Sequence, residues 1–216
     1  MASLGDRAVS GKRGARGWLK GHLADPYVKQ ANAQGYRSRA AFKLAQLDAA
    51  QRLLRPGDCV VDLGAAPGGW SQVAAQRVAP AGRVVAVDLL EMDPIDGVEF
   101  VQGDFTHDAV RADLRARLPD RGVDLVMSDM SPNLSGVKDN DQARGAELVL
   151  AALDFAGTVL TPRGAVLVKI FHGGSMQELV AHARRRFRAV KLSKPPASRA
   201  RSAEVYLLGQ GGDGVF

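Results

Sequence analysis

The chain has a single cysteine, Cys59, among its 216 residues. One thiol excludes an intramolecular disulfide and suits a reducing cytoplasm. No run of about 18 apolar residues occurs, which excludes a membrane-spanning helix by length. Basic residues stand near the start (Arg7, Lys12, Arg13, Arg16), but no apolar stretch follows them, so the pattern is not that of a secretory signal. Asp6 and the frequent glycines fit a transit peptide poorly. Internal repeats and a second domain are not discernible. What is present is the length of one domain and 46% hydrophobic residues, enough to bury a core and too apolar for global disorder.

Net charge is +6, and its distribution says more than its size. Residues 1–43 hold nine Lys/Arg against two Asp, residues 44–183 hold 12 against 19 acids, and residues 184–216 hold eight against two. An acidic centre with two basic ends steers a polyanion to the ends. A solvated face and a solvated tail explain either basic segment taken alone. Together they point to nucleic acid.

Residues 1–35 lack strong periodicity and read as a basic arm, with a short helix near 18–23. Ser38 is placed to cap a helix running to about Leu54, which Pro56-Gly57-Asp58 stops. Cys59–Leu63 is an apolar run too short for a helix and bounded by turn residues, hence a buried strand. Further strands are expected at Arg83–Asp88, Val98–Gln102, Val123–Ser128, Gly164–Phe171, Phe187–Ser193 and Glu204–Leu208. Helices are expected at about 70–78, 107–118, 142–160 and 175–186. Strands alternating with helices predict an α/β, doubly wound, mostly parallel seven-stranded sheet with helices on both faces. Only the basic loop 194–203 joins the last two strands, so that pair is expected to be antiparallel.

Asp62-Leu-Gly-Ala-Ala-Pro-Gly-Gly-Trp70 spans a strand-to-helix turn. Glycines there let a ligand approach the backbone, and a helix start presents free N–H groups. Gly64, Gly68 and Gly69 have the wrong spacing for a dinucleotide fingerprint. They have the spacing of a phosphate loop, but Trp70 stands where that loop needs lysine. S-adenosylmethionine, cationic and free of phosphate, fits better. Asp88 ends the second strand 20 residues after Gly68, placed to accept ribose hydroxyls. Asp104 follows the third strand, within reach of an adenine amino group. Carboxylates around the site suit a cationic ligand. The competing reading of any one of these acids is a loop cap.

The acceptor follows from the residues at the strand ends. Methyl transfer is an in-line displacement, with the nucleophile held about 3 Å away. Ser128-Asp-Met-Ser-Pro-Asn133 lacks the second proline and the aromatic of adenine-N6 enzymes. Cys59 starts its strand at the wrong edge for a cytosine-C5 nucleophile. Asp129 ends the fourth strand, Lys169 lies late in the apolar fifth, Glu204 opens the last, and Lys43 sits on the first helix among Ala and Phe. A lysine inside a buried strand is expensive unless it is paired or functional. A structural Lys–Asp ion pair is the competing reading. A ribose hydroxyl is a poor nucleophile at neutral pH, so its proton must leave as the methyl arrives. Lys169 can take that proton only in its neutral form, which burial and Lys43 favour, while Asp129 opposes this and orients the amine.

At these residues the chain resembles the FtsJ/RrmJ family, the ribosomal RNA large-subunit methyltransferase E group. The matching runs are Tyr36–Leu44, Val61–Gln72, Asp88–Pro94, Gln102–Phe105, Ser128–Gly136, Val168–Phe171 and Ser198–Tyr206, together covering about 18–208. The resemblance implies a Rossmann-like class I methyltransferase fold and S-adenosylmethionine as cofactor. It implies a catalytic set of Lys43, Asp129, Lys169 and Glu204, with cofactor contacts at Gly68, Trp70, Asp88, Asp104 and Asp129. It further implies a uridine 2′-hydroxyl in the A loop of 23S rRNA as the acceptor, methylated on an assembled large subunit. Ser131 departs from an expected alanine, and Ala203 from an expected charge, which weakens the RNA-side argument slightly. Some relatives act on tRNA or mRNA caps, and an RNA-binding assembly factor without chemistry is a further alternative.

The expected organisation is a basic arm over 1–35, one methyltransferase domain over 36–210 and a short tail over 211–216. The expected partner is RNA, not DNA or a membrane; the expected state is a cytoplasmic monomer without metal. RNA docking is assigned to Lys12, Arg13, Arg16 and Lys20 of the arm, to Arg37 and Arg39, and to Lys194, Arg199 and Arg201. Trp18 and Tyr27 could stack on bases or lie in the core.

Overall fold

A computed structural model describes residues 25–132 and 135–212. Among these residues six helices, α1 (Pro26–Ala33), α2 (Ala40–Gln51), α3 (Gly69–Val78), α4 (Asp108–Ala116), α5 (Lys138–Val159) and α6 (Met176–Arg186), surround one sheet. Its strands are β1 (Cys59–Leu63), β2 (Arg83–Asp88), β3 (Val98–Gln102), β4 (Val123–Ser128), β5 (Leu160–Phe171), β6 (Phe187–Ser193) and β7 (Glu204–Gly212). They run in the order β3-β2-β1-β4-β5-β7-β6, with β7 antiparallel to both neighbours and every other pair parallel. The α/β reading therefore holds, including the reversed strand near the edge. Among the described residues no helix is long and apolar enough to cross a membrane.

Alternation along each strand divides the interior in two. Val61 and Leu63 of β1, with Val166, Val168 and Ile170 of β5, face α5 and α6. Val60, Leu167, Tyr206 and Leu208 face α2 and α3, where Leu44, Leu47, Trp70 and Val73 cover them. Lys169 is two residues from Leu167, so it belongs to the α2 face of the sheet. The order reverses between β1 and β4, which opens a crevice beyond the carboxyl ends of the strands.

Four differences from the sequence reading have local causes. Helix α1 lies inside the expected arm, where Asp25 accepts from the Tyr27 N–H at 3.0 Å and Pro26 takes the first helical position. Helix α2 begins after Arg39 rather than on a Ser38 cap, and it stops at Arg52 in the left-handed conformation (φ 55°). There Asp48 accepts from the Leu54 N–H at 2.9 Å and holds the departing chain. Strand β5 starts at Leu160 and is bulged, because Val123 pairs with Leu160 while Leu125 pairs with Ala165. Strand β7 runs to Gly212, which pairs with Phe187, so the expected tail starts later than residue 211. The helix expected near 18–23 lies outside the described residues.

Candidate active site

A cavity of about 300 Å³ opens where β1, β2, β3 and β4 end, lined by Gly64, Ala66, Asp88, Asp104, Asp129 and Met130 among others. Two glycines shape the β1–α3 loop beside it. Gly64 has φ +77°, and a Cβ there would lie 2.4 Å from Met130 Cγ. Gly68 has φ +106°, and a Cβ there would lie 2.6 Å from Ile95 Cδ1. Neither position accepts a side chain without displacing the loop that closes the cavity.

Three carboxylates face this space. Asp88 accepts the Ala66 N–H at 2.9 Å on Oδ2 and the Leu90 N–H at 2.8 Å on Oδ1. Asp104 Oδ1 accepts the Thr106 hydroxyl at 2.6 Å and its N–H at 2.8 Å, and the two bonds hold its carboxyl below the usual aspartate range. The loop-cap reading of these acids is thus real, and it fixes their orientation at the cavity wall. Behind the wall stands Asp62, fully buried, with Oδ2 accepting the Ser71 hydroxyl at 2.6 Å and Oδ1 without a partner. Burial pushes it up to about 7, the Ser71 bond opposes this, and the charges of Asp129 and Asp88 add to the rise. A cavity walled by acids with an orphaned carboxylate oxygen behind them suits a ligand carrying a sulfonium, an ammonium and ribose hydroxyls. Of the five expected cofactor residues, Asp88, Asp104 and Asp129 line the cavity and Gly68 and Trp70 do not. The Trp70 indole donates to the Ala40 carbonyl at 2.9 Å and packs 5.6 Å from the Tyr206 ring.

The four expected catalytic side chains gather next to it as two ion pairs. Lys169 Nζ lies 3.1 Å from Asp129 Oδ1 and also donates to the Asp129 carbonyl oxygen. Lys43 Nζ lies 2.9 Å from Glu204. Lys169 is 7% exposed, so its amine is almost dry. Burial pushes the Glu204 carboxyl up, but the bond to Lys43, the Lys43 charge and that of Lys169 outweigh it and hold the group below its usual range. The register explains the assembly: Lys169 pairs with Tyr206 and Phe171 with Glu204 across β5 and β7, so one face of two strands carries Lys169, Tyr206 and Glu204.

Tyr206 is the residue that the sequence reading passed over. Its hydroxyl donates to Asp129 Oδ1 at 2.9 Å, the oxygen that also faces Lys169. Burial, then the charges of Asp129 and Glu204, raise its pKa, so it stays a donor. The signal was available, because residues 204 and 206 of one strand share a face.

The expected RNA contacts separate. The Arg37 guanidinium donates to the carbonyls of Pro67, Asp93 and Pro94. Arg39 is bound by Asp25 and the Ala197 carbonyl, and Lys194 donates to the Ser202 carbonyl at 2.7 Å. Arg199 lies 3.4 Å from Asp25. Arg39, Lys43, Arg199 and Arg201 nonetheless line a second cavity of about 430 Å³ beside Glu204. Tyr27 packs on Phe42 at 5.5 Å, in a small apolar cluster with Ala31 and Ala197. Lys12, Arg13, Arg16, Trp18 and Lys20 lie outside the described residues.

The family model for FtsJ-like methyltransferases matches residues 36–212. The chain belongs to that family. A ribosomal RNA large subunit methyltransferase E from Azoarcus sp. (strain BH72) is 57% identical over 195 residues, covering 90% of this chain and 95% of the relative. One from Methylibium petroleiphilum is 50% identical over 213 residues, covering 93% and 95%. Among solved structures, a ribosomal RNA methyltransferase from Plasmodium falciparum superposes with a TM-score of 0.74 at 30% identity, over 82% of this chain and 98% of that one. Fibrillarin from Aeropyrum pernix, solved with natively bound S-adenosyl-L-methionine, shares the fold at a TM-score of 0.57 and 15% identity, over 81% and 75%. The FtsJ-like chain is thus a methyltransferase.

Proposed function

We propose that the chain methylates a ribose 2′-hydroxyl of RNA, and that the RNA is 23S rRNA of the large ribosomal subunit, at a uridine of its A loop. The names carried by its relatives support the ribosomal substrate. The observation that carries the chemistry is Lys169, buried in a strand and held against Asp129 at the edge of the donor cavity. When bound there, the donor supplies an electrophilic methyl on a sulfonium. With its amine neutral, Lys169 would accept the 2′-hydroxyl proton on Nζ. Asp129 orients the amine, and Tyr206 holds Asp129. The Lys43–Glu204 pair positions the ribose from the α2 side. Arg199 and Arg201 contact phosphates there, joined by Lys12, Arg13, Arg16 and Lys20 of the arm. Arg37, Arg39 and Lys194 hold backbone around this surface. The protein acts as a cytoplasmic monomer.

The test is Lys169→Met, assayed for donor binding by calorimetry and for tritiated methyl transfer to undermethylated large subunits and to tRNA. Donor affinity is expected to persist while transfer to the large subunit falls by roughly 100-fold or more. Full turnover by the variant would refute the base, and transfer to tRNA alone would refute the substrate.

A further inference from the structure

A third cavity, of about 560 Å³, is lined by Lys169 and by residues of α5 and α6, and shares no lining residue with the basic cavity that holds Lys43 and Glu204. Met130 and Ser131 line both this cavity and that of the donor. The partition between the two is therefore one loop and the Asp129–Lys169 pair, with Asp129 in the donor wall and Lys169 in the other. The walls are mostly apolar: Pro132, Ala146, Val149, Ile170, Phe171 and Leu179. Neither cofactor nor phosphate requires such a surface, whereas the flat faces of a nucleobase do.

Three features make it a shaped site. The Phe171 ring is 40% exposed at the mouth, and the Lys169 amine stands 5.7 Å from its centroid. The Gln142 side chain lies over Gly173, where a Cβ would come 2.2 Å from its Nε2, and it has no side-chain hydrogen bond among the described residues. By contrast, Asp141 is occupied by Ser135 and Gly136. Gly145 interrupts the interior of α5 with a residue unfavourable in a helix. A Cβ there would meet only Pro132, at 3.8 Å, so packing does not demand glycine, and the gap is left as cavity.

We propose that this cavity takes the base of the nucleotide being methylated, swung out of its stack, with Phe171 against one face and the Gln142 amide on its polar edge. A nucleotide swung out of its stack can be seated in a pocket, the device used by enzymes that act on single nucleotides. A base lodged here keeps its own ribose at Lys169, because the two share one wall. One edge of the Gln142 amide presents an N–H donor beside the acceptor oxygen, which pairs with the adjacent carbonyl and N–H of a uracil edge.

This inference rests on the ribose-methylation reading above, and the experiment separates the two. Gly145→Leu fills the cavity from α5 without touching either ion pair, and Phe171→Ala removes an exposed ring that folding does not need. Both are compared with wild type and with Ala143→Leu, on the outer, exposed side of α5, by donor calorimetry and by steady-state transfer to large subunits. Expected are unchanged donor Kd for all, a fall in kcat/KM for RNA of about tenfold for Phe171→Ala and a larger one for Gly145→Leu, and wild-type rates for Ala143→Leu. Wild-type rates in both cavity variants would overturn the base pocket and leave the methylation reading standing. Weakened donor binding in both, with no separate RNA effect, would assign the cavity to the donor and overturn it too. A wild-type protein inactive on every RNA would bring down the methylation reading itself.

Discussion

Asp62 makes a pH dependence that runs opposite to the usual behaviour of a protein carboxylate. It is fully buried, one of its oxygens has no partner, and its pKa rises from the ordinary 3.8 to about 7. Below 3.8 it is protonated in the folded and unfolded chain alike and contributes no pH dependence. Between 3.8 and about 7 the unfolded chain gives up the proton while the folded chain retains it, so this residue makes stability fall as pH rises. The interval corresponds to about 4 kcal/mol, nearly all of it present by pH 7. Asp62→Asn keeps the shape, can still accept from Ser71, and cannot ionise. Urea denaturation of both proteins from pH 4 to pH 8, without donor, should show the variant gaining on wild type by about 3 kcal/mol or more across that range. Above pH 7, where the folded chain ionises Asp62, the same variant should bind S-adenosylmethionine more weakly, since the negative charge behind the cavity wall is lost. A stability difference that stays flat from pH 4 to pH 8 would refute the reasoning.

Other substitutions test the neighbouring contacts. Tyr206→Phe removes one hydrogen bond to the Asp129 carboxylate; turnover should drop roughly 10- to 100-fold, with donor affinity unchanged by calorimetry. Lys43→Ala leaves Glu204 as a buried carboxylate without its partner, and thermal or urea unfolding at pH 7 should register a loss of about 3–5 kcal/mol. Without Lys43, burial pushes the Glu204 carboxyl up, so protonation relieves the variant before the wild type, and the loss should begin to shrink before the falling pH reaches the group's ordinary 4.5. Arg201→Ala, at the basic cavity, should reduce the slope of log affinity against log salt for large-subunit RNA by about one, leaving donor binding intact.

The parts of this molecule legible in its sequence are those fixed by short-range pattern. Cys59–Leu63 and Arg83–Asp88 are apolar runs between turn residues, and both became strands at those bounds. Lys169 stood out because a cation inside Ala165–Phe171 conflicts with its surroundings, and the structure resolves the conflict with an ion pair. What escaped depends on partners far along the chain. Arg39 reads as surface charge, yet Asp25 draws it inward, and it reaches a carbonyl 158 residues away. Trp70 sits in a cofactor motif, but its ring completes the core under α2. The apolar cavity beside Lys169 is built from three separate segments and has no local signature at all.

The reversed direction of β7 carries a consequence for synthesis. Every residue named in the donor cavity precedes Val149, whereas Glu204 and Tyr206 come from β7, which leaves the ribosome after the other six strands. Because β7 runs backwards, its opening residues rather than its closing ones arrive at the reactive edge. Under the proposed mechanism a nascent chain assembles the pocket for the methyl donor well before Glu204 and Tyr206 stand beside Lys169 and Asp129, and it acquires competence only when β7 slots between β5 and β6.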